Sequence, residues 1–327
     1  MLLFQTILFW KKCMEDSSTP KSNFNRGYLI ALLSAAILST TGILIRYLTL
    51  NFHLPALILA FWRDVIMAIT LLVILGIFKP ALLRLPKDKI LFVVIYGFVV
   101  AVFNSMWTLS VSINGAAVAT VMCYCSAAFT ALLGWWLLKE KLGVWKLLAV
   151  AFSLGGCLLV SGALQASAWQ ANFLGILTGI LAGLFYAIYS LFGRSASQKG
   201  MNTWTTLLYT FAVASVFLLV FNLLPFDIPG AARQVSNLVW KDLGLSGWLM
   251  LLFLSAGPTL LGFGTYNLSL NYLPSSVANL IATSEPVFTT ITAYFIFGEV
   301  LSPIQMVGGL LIVGGVILIR LTEGRKA

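Results

Sequence analysis

Along most of this chain the apolar positions neither alternate nor recur every third or fourth residue; they continue for about twenty residues at a time. Runs of spanning length cover 27–48, 55–78, 90–110, 116–138, 144–163, 173–193, 203–221, 246–270, 275–297 and 302–321. Each is long enough to cross a bilayer as a helix. Strands of a membrane barrel would alternate apolar and polar residues, so a barrel is excluded. Several connections, such as 271–274, are only a few residues long, which forces neighbouring helices into antiparallel hairpins. The pattern predicts an all-α polytopic membrane protein with ten transmembrane helices.

Composition narrows the picture further. Of 327 residues, 60% are apolar and 9% are charged, so ten spans with short loops leave no room for a soluble catalytic domain. The net charge of +10 reports topology here, not a nucleic-acid partner, because cytoplasmic loops collect Lys and Arg. With a cytoplasmic N-terminus, sixteen of the twenty basic residues fall on inside segments. Both termini are therefore expected in the cytoplasm and the protein in the cell membrane. Residues 1–26 are read as a flexible cytoplasmic extension whose first apolar stretch is too short to span, and Met14 is an alternative start to Met1. Cys13, Cys123, Cys125 and Cys157 show neither metal-ligand spacing nor a disulfide framework. No cofactor is implied, and no GxxxxGK[ST] loop is present for nucleotide-driven work.

The chain repeats itself. At an offset of 148, Gly27, Leu29, Leu33 and Arg46 fall on Gly175, Leu177, Leu181 and Arg194. At 159, Val118, Ala119, Phe129, Thr130, Glu140, Leu142, Gly155, Gly156 and Leu159 fall on Val277, Ala278, Phe288, Thr289, Glu299, Leu301, Gly314, Gly315 and Leu318. Residues 27–163 and 171–321 thus form two units of five helices. Because five is odd, the units enter the membrane from opposite sides, and inverted repeats of this kind surround a central site in many transporters.

Further features suggest a family. Pro55 precedes Arg63 in predicted helix 2, Ser284-Glu285-Pro286 lies in helix 9, and Glu140 and Glu299 close helices 4 and 9 ahead of Gly-rich helices 5 and 10. In this order over ten spans the chain resembles the EamA-type transporters of the drug/metabolite transporter superfamily, over about 27–321. The resemblance implies a ten-helix basket around a cavity lined mainly by helices 1, 3, 4, 6, 8 and 9, carrying amino acids or other small metabolites, most often outward. The chain departs from two-fold repetition where Ser126-Ala127 stands opposite Glu285-Pro286 and Phe211 opposite Arg63. Helices 1 and 6 contain no acid, so the coupling scheme of the related small multidrug resistance proteins does not transfer.

Within the spans, Arg63, Asp64 and Glu285 are the costly residues, each requiring a partner, neutralisation or water. Arg63 and Asp64 lie about 100° apart around a helix, so separate partners are expected, with an Arg63–Glu285 bridge between the halves as one candidate and Asp64 as an alternative titrating group. The bridge reads either as a structural pair or as a gate. A polar stripe of Ser276, Asn279, Thr283, Pro286 and Thr290 follows one face of helix 9, matched on helix 4 by Ala117, Thr120, Tyr124, Ala127 and Ala131. These stripes read as cavity lining or as interhelical hydrogen bonding. Pro286 frees the carbonyl of Ala282. Trp107 and Tyr266 align across the repeat, and Tyr186 and Tyr189 lie on helix 6; such aromatic walls suit an amphipathic organic ligand, while interface anchoring is the other reading.

Small residues at every fourth position, Gly27, Ala31, Ala35 and Ser39 on helix 1 and Gly175, Gly179, Gly183 and Ala187 on helix 6, read as packing ridges. Glu140 and Glu299 read as structural, each favouring the N-terminal dipole of the helix that follows it. The expected function is secondary transport of a small organic metabolite by alternating access, with the bilayer and a small-molecule substrate as partners and a proton or counter-substrate as the coupling choices. A polytopic membrane enzyme and a non-transporting scaffold or sensor are the competing classes. His53, the sole histidine, has no companions for enzyme chemistry.

Overall fold

A computed structural model describes residues 21–160, 173–225, 227–289, 291 and 302–323. The terminal extension 1–20, the stretch around Ala166, Thr290 and Glu299 lie outside the described residues. Ten helical segments follow one another among the described residues: α1 (Lys21–Asn51), α2 (Ala56–Phe78), α3 (Ile90–Tyr124), α4 (Ser126–Leu138), α5 (Val144–Val160), α6 (Phe173–Gln198), α7 (Thr203–Leu223), α8 (Gly244–Ser269), α9 (Ser275–Ala282) and α10 (Pro303–Glu323). Large apolar side chains on their outer faces, such as Ile69, Leu72, Val73 and Ile77 of α2, are exposed, as a lipid-facing surface requires.

The packing scheme is two-fold. α3 packs on α6 as α8 packs on α1, and α4 on α6 as α9 on α1; α2 meets α7 and α5 meets α10. Exchanging the two halves maps each of these contacts onto its counterpart, the arrangement that two inverted five-helix repeats demand. Backbones approach closely where glycine allows it. A Cβ on Gly156 would lie 2.6 Å from the Gly308 carbonyl oxygen, and one on Gly315 would lie 2.9 Å from that of Ala149, so the α5–α10 seam tolerates no side chain there. The α6 ridge packs similarly: a Cβ on Gly179 would meet Met122 and Ser110, and one on Gly183 would meet the Cys123 carbonyl.

Several helix boundaries differ from those read in the sequence. The chain reverses between the third and fourth spans, because Ser110 and Met122 both lie against Gly179, and the apolar spans end at Ile113 and resume at Met122. The fourth helix is then broken at Cys125. α9 is likewise interrupted, at 283–284, where the Thr283 and Ser284 N–H groups reach back only three residues, to Leu280 and Ile281, before the helix resumes over 285–289. Pro286 accounts for the location, since it cannot donate to Ala282. At the repeat offset Cys125 corresponds to Ser284, so both halves break their fourth helix at the same level. α8 contains a wide turn over Ser255–Thr259 around Pro258, a detail that an uninterrupted apolar run conceals.

The two arginines matched by the repeat do matching work. Arg46, near the end of α1, donates from Nη1 to the Ser112 carbonyl at 3.3 Å, and Arg194, near the end of α6, donates to that of Leu270 at 2.7 Å. Each serves a carbonyl at the hairpin joining the third and fourth spans of one half.

Candidate functional site

A small central cavity of about 40 Å³ is lined by Leu38 and Thr41 of α1, Arg63 of α2, Phe103, Trp107, Cys123 and Tyr124 of α3, Tyr186 of α6, Phe263 of α8 and Glu285 beyond the α9 break. Its walls are chiefly aromatic: Phe103 stacks on Tyr186 at 5.1 Å between centroids, and Tyr186 packs on Tyr266 at 5.5 Å.

Two charges face this space. Arg63 is 1% exposed, and its Nε and Nη2 make no hydrogen bond within the protein. The expected bridge to Glu285 is not among the ion pairs of the described residues. Arg63 instead folds back toward its own neighbour, with Nε 3.6 Å from Asp64 Oδ1, because a long flexible side chain can span the angle that separates the two Cα positions. At that distance the contact is an ion pair without a hydrogen bond. Asp64 is fully buried and takes both of its hydrogen bonds from Asn104 Nδ2, at 3.0 and 2.7 Å. Glu285 accepts from the Tyr124 hydroxyl. The cavity therefore presents an under-satisfied guanidinium and a carboxylate with accepting capacity left over, on opposite halves of the chain.

A polar and aromatic layer adjoins the cavity. Ser126 donates to Asn279 Oδ1 at 3.0 Å, Asn279 Nδ2 reaches Ser190 Oγ at 3.3 Å and the Tyr266 hydroxyl at 3.5 Å, and Ser190 and Tyr266 share a 2.6 Å hydrogen bond. Tyr96 donates to Asn267 Oδ1 at 3.1 Å, and Asn267 donates in turn to Tyr189. Along α6, α8 and the α9 region, these residues lie about one turn or more beyond the cavity-lining Tyr186, Phe263 and Glu285, toward the end that carries the α4–α5 hairpin. The layer thus closes the path between the cavity and that end.

Beyond it sits a second closure. Glu140, between α4 and α5, accepts from the backbone N–H of Ser275 at 2.8 Å and of Ser276 at 3.2 Å, and from both serine hydroxyls. Its partner is the N-terminus of α9, in the other half, and not that of the following helix as the sequence suggested. Buried Lys146 adds a 3.0 Å hydrogen bond from Nζ to Ser276 Oγ. Gly134 makes room, since a Cβ there would lie 3.0 Å from Glu140 Oε2.

The sequence candidates therefore divide by position. Arg63, Trp107, Tyr124, Tyr186 and Glu285 face the cavity, with Asp64 immediately behind Arg63. Tyr189, Tyr266 and Asn279 form the closing layer. Thr283 is buried at the α9 break with its hydroxyl donating to Leu280 O, Pro286 is buried, and Thr120 is partly buried in α3. Phe211, opposite Arg63 in the repeat, is fully buried against Phe263. Asn104, Tyr96 and Asn267 were not singled out in the sequence; polar residues set inside apolar runs were the only signal.

Comparison with known proteins agrees with this architecture. The model of the EamA-like transporter family matches residues 25–162 and 173–321. An uncharacterized transporter of Archaeoglobus fulgidus is 28% identical over 56% of this chain and 59% of its own length, so that match spans less than two thirds of the relative. The threonine/homoserine exporter RhtA of Escherichia coli K12 is 25% identical over 73% of this chain and 74% of its own. A probable amino-acid metabolite efflux pump of Salmonella typhimurium is 23% identical over 80% and 85%. A solved crystal structure superposes with a TM-score of 0.70 at 18% identity, over 91% of this chain and 98% of that one, which extends the likeness of fold to nearly the whole molecule. Ten helices in two inverted halves around a central cavity, matched by the family model along both halves, make this chain a multi-pass membrane protein of the EamA-like transporter family.

Proposed function

We propose that this protein exports a small zwitterionic metabolite of the amino-acid class across the cytoplasmic membrane by alternating access, with both termini in the cytoplasm. The observation that carries the reading is the pair of cavity charges. A guanidinium with unused donors suits a carboxylate, which it can hold through two parallel hydrogen bonds. A carboxylate and a ring of aromatic faces suit an ammonium group. Arg63 is thus the anchor for the acid end of the substrate and Glu285, oriented by Tyr124, the anchor for its amine end. Trp107, Phe103, Tyr186 and Phe263 surround what lies between.

The names of the Escherichia coli and Salmonella relatives support the substrate class and the direction. In the proposed topology the α4–α5 hairpin is cytoplasmic, so the Asn279–Tyr266 layer and the Glu140 contact form the inner gate, and this conformation is closed to the cytoplasm. Coupling uses a proton or a counter-substrate. The test is efflux from proteoliposomes loaded with a mixture of amino acids. A subset of zwitterions should leave faster than from protein-free liposomes, and equal leakage of every compound would refute the proposal.

A further inference from the structure

Thr41 lies well inside α1, and the protein leaves its hydroxyl unused. The residue is 4% exposed, and its Oγ1 makes no hydrogen bond within the protein. A threonine hydroxyl in a helix commonly donates to a carbonyl three or four residues back. Neighbouring Thr40 does so to Ile37 at 2.9 Å, Thr49 to Arg46 at 3.0 Å and buried Thr130 to Ser126 at 2.6 Å. Thr41 does not. Its counterpart at the repeat offset of 148 is Tyr189, which receives a hydrogen bond from Asn267. The missing partner is therefore a property of this position and not of the repeated fold.

The same side chain lines the central cavity. Among the described residues with a buried, unpartnered side-chain atom, Thr41 and Arg63 line this space, whereas Asn104, Thr108, Ser153, Thr210 and Thr259 do not. Arg63 and Thr41 reach it from α2 and α1, and Glu285 from the segment beyond the α9 break. That segment is fixed against α1 by Thr289, whose hydroxyl donates to the Ser39 carbonyl at 3.1 Å. Resting on the assignment of Arg63 to the substrate carboxylate and of Glu285 to its ammonium, we propose that Thr41 reads the side chain, and that the substrate is an amino acid whose side chain carries a hydroxyl. Leu38, Phe103 and Phe263 in the same lining make a further charge costly, and the small cavity favours a short side chain. A hydroxyl both donates and accepts, as Thr41 does, so either can serve the other. A hydroxylated substrate completes Thr41, while an analogue with a methyl in the same place leaves it buried and unpaired.

The experiment is counterflow of labelled threonine in proteoliposomes, competed by two pairs in which one member lacks the hydroxyl: threonine against valine, and serine against alanine. In the unmodified protein the hydroxylated member of each pair should compete about tenfold better. Thr41→Val keeps the shape of the side chain and removes only the hydroxyl. In that variant threonine should compete no better than valine, because threonine has weakened, while Tm stays the same or rises. Thr41→Ser should restore the preference. Thr108→Val, which removes an unpartnered buried hydroxyl outside the cavity lining, should keep it. Equal competition within both pairs in the unmodified protein, a preference that survives Thr41→Val, or one that Thr108→Val also abolishes would overturn the proposal and leave the zwitterion site standing. Absence of threonine counterflow where other zwitterions are carried would overturn it in the same way. If no zwitterion is carried, the reading on which it rests fails as well.

Discussion

Arg63 combines two properties that rarely coexist: it is buried, and its guanidinium is poorly satisfied by the protein. Such a group costs stability unless something else completes its hydrogen bonds. Arg63→Met removes that group but strips buried Asp64 of its ion-pair partner, so it should lower Tm. The same variant should weaken substrate binding by about 1.5–3 kcal/mol, roughly ten- to a hundredfold. Thermal stability and transport KM, measured on one preparation, check both halves of this expectation. Asn104 should bear on folding alone. It supplies both hydrogen bonds to buried Asp64, so Asn104→Leu should destabilise by about 1–3 kcal/mol, read as a lowered Tm. The cost of Arg63, Asp64 and Glu285 was legible in the sequence from their depth in apolar runs. Their partners were not. The direction of a Cα–Cβ bond says little about where a guanidinium ends, and Asn104 lies forty positions from Asp64 on another helix.

Among the elements, α9 is held at its start by a residue of the other half. Glu140 closes α9 with four hydrogen bonds, and α9 carries Asn279 of the closing layer and leads into Glu285. Removing this carboxylate leaves the first N–H groups of α9 unsatisfied at the end of a short helix. Glu140→Ala should therefore open this end of the molecule. A cysteine placed at Ser276 should react with a membrane-impermeant maleimide from the cytoplasmic side faster in Glu140→Ala than in its Glu140-containing parent, and unchanged labelling would deny the gate. The α5–α10 seam should be less tolerant. Gly156→Val forces a branched side chain against the Gly308 backbone, and loss of folded protein by size-exclusion chromatography is the expected result. The existence and order of these helices could be read from apolar run length alone. Their interruptions could be read only in part: Pro286 announced a break in α9, whereas nothing in the composition around Cys125 announced the equivalent one in the first half. The matching of Glu140 to Glu299 signalled a role at a helix end, but spacing along the chain could not say that the capped helix belongs to the other repeat.

At the scale of the whole molecule, two inverted halves pack so that exchanging them maps α3–α6 onto α8–α1 and leaves α2–α7 and α5–α10 in place. In the proposed alternating access, this symmetry supplies a second closure on the opposite side of the cavity, one opening as the other forms. The symmetry is incomplete where the chemistry is, with Arg63 opposite Phe211 and Glu285 opposite Ser126. The cavity is thereby polarised, which in the proposed function lets it tell the two ends of a zwitterion apart. Topology follows from the distribution of Lys and Arg: reporters fused after Lys87, Lys141 or Lys199 should be cytoplasmic, and those near His53 or Val235 external, with the reverse pattern inverting the assignment of inner gate and outer opening. The most direct test of the central claim is counterflow of a transported amino acid in proteoliposomes, competed by analogues with one end masked. In the unmodified protein the free amino acid should compete well, while its methyl ester and its N-acetyl derivative should both compete poorly. In Arg63→Met the preference for the free acid over the ester should vanish while that for the free amine survives, and in Glu285→Gln the reverse should hold. Equal loss of both preferences in both variants, or intact preferences in either, would contradict a site that holds the two ends of a zwitterion on Arg63 and Glu285.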